Sequence, residues 1–174
     1  MKIAISSLPK NGWWNEGIKA YHDNDMMSDG AIPNQSLLKK EHEGLIKILN
    51  KHCLDTVSLP FDGGLEKNNK YDFVFMRDHF LCNTRKEIVM CNMKLFERMN
   101  EGKFTISPLE NLNYKISHLG EDCVAEGGEF FYLSKENILL AGQNRNNLKG
   151  AEQMAEKLNV SNLFIINSSG YHLD

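Results

Sequence analysis

The chain opens on "KIAIS", Lys2 to Ser6, where apolar and polar side chains alternate as they do in a strand with one face buried. From Asn11 to Gly30 the pattern dissolves into a stretch rich in Gly, Asn and Asp, which predicts a long loop of the kind that is often functional. Periodicity returns after Asn34, a suitable N-cap. Leu37, Leu38, Leu45, Ile48 and Leu49 fall at helical spacing with Lys and Glu between them, and predict an amphipathic helix to about Lys51. "DTVSLP" then alternates again as a strand. "YDFVFMRDHFLCN" is apolar and aromatic from Phe73 to Met76, which predicts a buried strand interrupted by Arg77 and Asp78, with "EIVMC" as its hairpin partner. A short helix is expected around residues 93–99. Beyond Pro108, "YKISHL", "FFYL", "ILLAG" and "NLFIIN" read as strands, "EGGE" as a turn, and the segment from about Asn147 to Leu158 as a helix.

The order strand, strand, helix, strand recurs along the chain. It predicts a mixed α/β (α+β) fold of similar ββαβ units. No linker composition marks a boundary, so residues 1–174 are expected to form a single domain.

Composition narrows this picture. A hydrophobic content of 41%, a charged content of 25% and only 4 Pro are ordinary for globular chains and disfavour disorder. The net charge of -3 is small and Lys and Arg are scattered, so neither nucleic acid nor an anionic membrane is an expected partner. No apolar run approaches the roughly 18 residues of a membrane span, and "MKIAISSLPK" turns polar too soon for a signal peptide. Cys53, Cys82, Cys91 and Cys123 show no metal-site spacing, which reads as free thiols in a reducing, cytoplasmic compartment with no metal and no cofactor.

Four polar clusters fall at strand ends or turns rather than on helix faces: Arg77 with Asp78, Glu126 to Glu129, Asn144 to Asn147, and His172 with Asp174. In extended backbone His172 and Asp174 point the same way and Leu173 the other. Taken in order, "FMRD", "MKLFERMNE", "EGGE", "GQNRNN" and "HLD" resemble the successive motifs of the guanidine-modifying superfamily of arginine deiminases, dimethylarginine dimethylaminohydrolases and amidinotransferases. The resemblance runs from about Gln35 to the last residue.

That resemblance implies a propeller-like (pentein-like) arrangement of five ββαβ units, of which this chain carries roughly three. It implies that Asp78 and Asp174 accept the in-plane hydrogen bonds of a substrate guanidinium, that His172 is the general base and acid, and that Glu126 orients it. Arg145 and Arg98 match the arginines that pair with an α-carboxylate, so the implied ligand is an arginine-like small molecule. Arg98 has a second reading, as a helix-surface residue paired with Glu101 at i,i+3 and contributing only a few tenths of a kcal/mol. Glu129 departs from the pattern, which usually has Asp after "EGG"; the resemblance implies a substrate-binding role for it, with its longer side chain accepting the same hydrogen bonds at a shifted reach.

The nucleophilic cysteine of the superfamily lies beyond its "HLD" strand, and no cysteine here matches that position. Cys82, four residues past Asp78, and Cys91 and Cys123 sit in apolar strand contexts typical of inert thiols. The expectation is therefore an incomplete form of an amidinohydrolase, completed by a complementary C-terminal fragment or associating with copies of itself. An amidinotransferase, or an inactive family member that binds a guanidino ligand or a protein, are the alternatives.

Overall fold

The computed structural model describes residues 2–12, 29–52 and 55–167. Most of the expected loop between Asn11 and Gly30, together with Cys53, His172 and Asp174, lies outside the described residues. Two compact units are present, Met1–Met76 and Arg77–Asp174.

In the first unit the two alternating runs form β1 (Lys2–Ser6) and β2 (Asp55–Leu59), which pair in parallel with Lys2 opposite Asp55 and Ser6 opposite Leu59. A parallel pair needs a crossover, and α1 (Gln35–Lys51) provides it. Asn34 caps α1 as expected: it stays extended and its side chain accepts the Leu37 N–H at 3.1 Å. A second, five-residue helix, α2 (Gly63–Lys67), escapes the sequence pattern. Asp62 caps it, accepting the N–H groups of Gly64 and Leu65, and Leu65 becomes fully buried.

The strand expected at Phe73–Met76 is not there. Tyr71–Val74 and Met76–Asp78 are 3₁₀ turns instead. The tighter path lets Tyr71 and Phe73 both close on Phe61, stacked at 5.8 Å and edge-on at 6.0 Å between ring centroids. Packing between aromatic rings has overridden a composition that favours strand.

The second unit runs through one topology twice. β3 (Phe80–Cys82) and β4 (Glu87–Met90) form an antiparallel hairpin, α3 (Lys103–Glu110) crosses over, and β5 (Lys115–His118) returns parallel to β4. β6 (Phe130–Leu133) and β7 (Ile138–Gly142) repeat the hairpin, α4 (Leu148–Leu158) the crossover, and β8 (Asn162–Ile166) the parallel return. The strand, strand, helix, strand repeat is thus present. The hairpin partner of "EIVMC" is "FLC" rather than the run before Arg77.

Two details of this unit differ from expectation. The helix expected at residues 93–99 shrinks to a 3₁₀ turn, Phe96–Arg98, because Asn100 takes a left-handed conformation at φ 69° and Arg98 turns inward. α3 continues through Pro108, a residue that the sequence pattern treats as a boundary. Thr105 and Leu109 bury its inner face, and Leu109 packs with Ile88 and Met90 of β4.

The main core lies between α4 and the sheets. Ala151, Met154, Ala155 and Leu158, spaced at i, i+3, i+4 and i+7, pack with Val89 of β4 and with Phe130, Leu139 and Ala141 of the second hairpin. Gly150 in the first turn of α4 is dictated by close approach, since a Cβ there would overlap the Val124 carbonyl oxygen. Among the described residues no helix is long and apolar enough to cross a membrane.

Asn147 fastens α4 to the loop before the "EGGE" turn. Its Oδ1 accepts Gly150 N–H at 2.7 Å and Val124 N–H at 3.1 Å, and its Nδ2 donates to the Asp122 carbonyl at 2.9 Å. Asn147→Ala is expected to lower stability by about 1–2 kcal/mol, the range for losing a helix cap. Urea unfolding at fixed m-value measures it.

Candidate functional site

The site grows from the turn that the sequence showed as "EGGE". Gly127–Glu129 is a 3₁₀ turn whose three residues are all buried. Gly127 lies so close to the Arg77 carbonyl that a Cβ would overlap the oxygen, so only glycine fits at this position. Arg77 fastens the same region from outside, donating from Nη2 to the Phe130 carbonyl at 2.8 Å.

Asp78, 5% exposed, joins this turn to the segment after β4. Its Oδ1 accepts the Gly128 N–H at 3.2 Å, and its Oδ2 pairs with Arg98 Nη1 at 2.8 Å. Arg98 in turn holds Glu101, Nε to Oε2 at 3.2 Å. The i,i+3 pair read from the sequence exists, but it is buried, with Glu101 at 0% exposure, and not a helix-surface contact. Burial changes its weight: both carboxylates depend on one guanidinium in a medium that penalises uncompensated charge.

Glu126, 1% exposed, accepts the Lys94 N–H on Oε1 at 2.8 Å, and the same oxygen lies 3.9 Å from Arg145 Nη1. Its own N–H donates to Asn146 Oδ1 at 2.9 Å. Glu129, fully buried, accepts the Asn144 N–H on Oε1 at 3.2 Å. Lys94 Nζ donates to the Asn144 carbonyl at 2.6 Å. The turn between β7 and α4, which carries Arg145, is therefore held on both sides of that residue.

Five sequence-predicted site residues, Asp78, Arg98, Glu126, Glu129 and Arg145, thus belong to two polar groups that meet at the Gly127–Glu129 turn. His172 and Asp174 lie outside the described residues. Sequence reading missed Lys94, which contributes its backbone N–H to Glu126 and its Nζ to the Asn144 carbonyl, and undervalued Glu101, Asn144 and Asn146. The asparagines were visible only as "NRNN".

Within these two groups four carboxylates, Asp78, Glu101, Glu126 and Glu129, face two guanidiniums, Arg98 and the nearly buried Arg145. Among these buried groups the formal balance is negative, while the exposed Arg77 and Lys94 hold the same region from the solvent side. Among the described residues no group of His, Cys, Asp and Glu is disposed to hold a metal ion.

Of the described thiols, Cys82 is partly buried and Cys91 and Cys123 are buried. Burial pushes the Cys91 thiol far up, and the charges of Asp78 and Glu126 push it further. Burial also raises Cys82, whose Sγ donates to the Asn83 carbonyl. Cys91 and the buried Cys123 line an apolar cavity of about 850 Å³ with Met90, Met93, Met99 and Leu119; none of the four carboxylates borders it.

No family model and no curated protein sequence matches the chain. Solved structures do match. A dimethylarginine dimethylaminohydrolase, solved as an adduct with 4-chloro-2-hydroxymethylpyridine, aligns with a TM-score of 0.74 at 17% identity over 99% of this chain. DDAH from Pseudomonas aeruginosa, a cysteine-to-serine mutant complexed with citrulline, aligns at 0.75 with 19% identity over 99%. The N-terminal domain of ArgZ, an arginine dihydrolase from the ornithine-ammonia cycle in cyanobacteria, aligns at 0.71 with 20% identity over 99%. The chain spans 62%, 63% and 60% of the length of these three proteins. It has the mixed α/β fold of these guanidine-modifying enzymes.

Arg98 is the test of the buried network. Arg98→Met keeps the volume and removes the charge, and with it the guanidinium that Asp78 and Glu101 share. The expected loss is about 3–5 kcal/mol, against a few tenths for a surface pair. Denaturant unfolding distinguishes these outcomes.

Proposed function

We propose that this chain binds a guanidinium-bearing amino acid and belongs to a guanidine-modifying hydrolase of the arginine deiminase or dimethylargininase type. The excess of buried carboxylates around the "EGGE" turn carries this reading. A buried anionic cluster is stabilised by a cation, and a guanidinium is the cation whose planar donors match several carboxylates at once. Arg145, at the edge of the cluster, offers a handle for a ligand carboxylate, which selects an amino acid over a bare guanidine.

On this reading Glu126 orients His172, and His172 protonates the departing amine and then activates water, after a thiolate has attacked the central guanidine carbon. An amidinotransferase shares the covalent intermediate and differs in using an amine in place of water. The protein works in the cytoplasm, and a complementary fragment or a second copy completes the site.

One observation favours a second reading, binding without turnover. The described thiols are buried or partly buried, and those of Cys82 and Cys91 are pushed up, away from the thiolate. The purified chain is expected to give saturable heats with L-arginine in isothermal titration and none with L-norleucine, its uncharged analogue. It is expected to form no citrulline or ammonia from L-arginine. Absence of saturable binding of both L-arginine and L-citrulline would refute the ligand assignment, and turnover lost in Cys82→Ser would establish an internal nucleophile.

A further inference from the structure

Glu129 stands where the resembling family has Asp, and β7 ends on a residue with no side chain, Gly142. The two facts are spatially one. A Cβ at position 142 would lie 2.7 Å from Glu129 Cδ and 3.0 Å from its Cγ, and would overlap Oε1 outright. The carboxyl group, which the extra methylene of Glu129 carries forward, therefore occupies the volume that an alanine at 142 would fill. With that volume available, the fully buried carboxylate reaches the Asn144 N–H at 3.2 Å.

Asn144 is the residue before Arg145. Its carbonyl takes a second hold on this turn, from Lys94 Nζ, but Lys94 is exposed and a flexible partner, and a third hold lies on the far side of Arg145, where Asn146 Oδ1 accepts the Glu126 N–H. The hold from Glu129 is buried, and an aspartate would fall short by about 1.5 Å, the length of one carbon–carbon bond.

We propose that Glu129 is a positioning residue, matched in size to the absent side chain of Gly142, that sets the turn carrying Arg145 and so determines preference for guanidines bearing a carboxylate. It acts through its acceptor oxygen on the Asn144 N–H and touches no ligand. The assignment rests on the proposed binding of a guanidino amino acid.

The test compares L-arginine with agmatine, which keeps the guanidinium and lacks the carboxylate, by isothermal titration of the full-length chain and its variants. Wild type should prefer L-arginine. Glu129→Asp should lower that preference about tenfold, because a displacement on the order of 1 Å in a positioned group is enough to lose most of its contribution. Glu129→Gln keeps an acceptor of the same reach, and should change both affinities by the same factor and leave the preference. Gly142→Ala should lower the melting temperature steeply, and Glu129→Asp with Gly142→Ala should recover the melting temperature, since the shorter side chain makes room for the new methyl, while the preference stays low because the aspartate still falls short of the Asn144 N–H.

Equal loss of L-arginine and agmatine binding in Glu129→Asp would overturn the proposal, because a group touching the guanidinium itself behaves that way. Loss of preference in Glu129→Gln would overturn it too, by showing that charge and not the acceptor matters. If wild type binds neither compound, the ligand reading fails on its own. The size match is then decided by melting temperatures: recovery in the double variant supports it and additive losses reject it.

Discussion

The two oxygens of Asp78 are committed in different directions, one to the N–H of Gly128 and the other to the guanidinium of Arg98. Much else in the second unit depends on that division. The carboxylate ties the turn before β6 to the segment after β4, so neither can move without uncovering a charge at 5% exposure. Arg98 compensates Asp78 and Glu101 together. Such a group is worth little as a net contribution to stability, because burying the charges costs nearly as much as their attraction returns. Its value is specificity: alternative packings would leave a carboxylate unpaired in the interior.

The backbone had to be thinned for this to happen. Gly127 admits the Arg77 carbonyl and Gly150 admits that of Val124. Each glycine replaces a side chain with a neighbouring main-chain oxygen, which explains why polar groups approach so densely here. The same logic makes the region intolerant of substitutions that look mild in sequence.

What could be read from the sequence follows from how local its causes are. β6, β7, α4 and β8 were legible because alternation, an Asn cap and an i, i+3, i+4 apolar stripe are encoded within each segment. Tyr71–Val74 was not, because its path is set by rings meeting Phe61, ten and more residues away. α3 was hidden by a proline that the helix tolerates. Asp78, Arg98, Glu126, Glu129 and Arg145 were legible as polar residues at strand ends that resemble an ordered set of motifs. The partners of Arg98 were not, since the sequence shows Glu101 three residues on but cannot show that both side chains turn inward. Lys94 acts on Glu126 through a backbone N–H, and no residue type announces that.

Carboxylates disfavour a thiolate near them, and Cys91 illustrates the direction. Its thiol is raised by burial and then further by Asp78 and Glu126. On the proposed chemistry, recognition and attack must therefore be separated in direction. A guanidinium offers that separation: its hydrogen bonds lie in its plane, where carboxylates can meet them, while its carbon is open to attack from above. A thiolate approaching along that axis is screened from the carboxylates by the ligand's own positive charge. It is further favoured by a protonated histidine beside it, in the way that neighbouring cations lower thiol pKa values. On the proposed chemistry, a ligand cation is what would make the cluster around Asp78 and Glu126 compatible with a nearby thiolate, coupling reactivity to occupancy without any moving part.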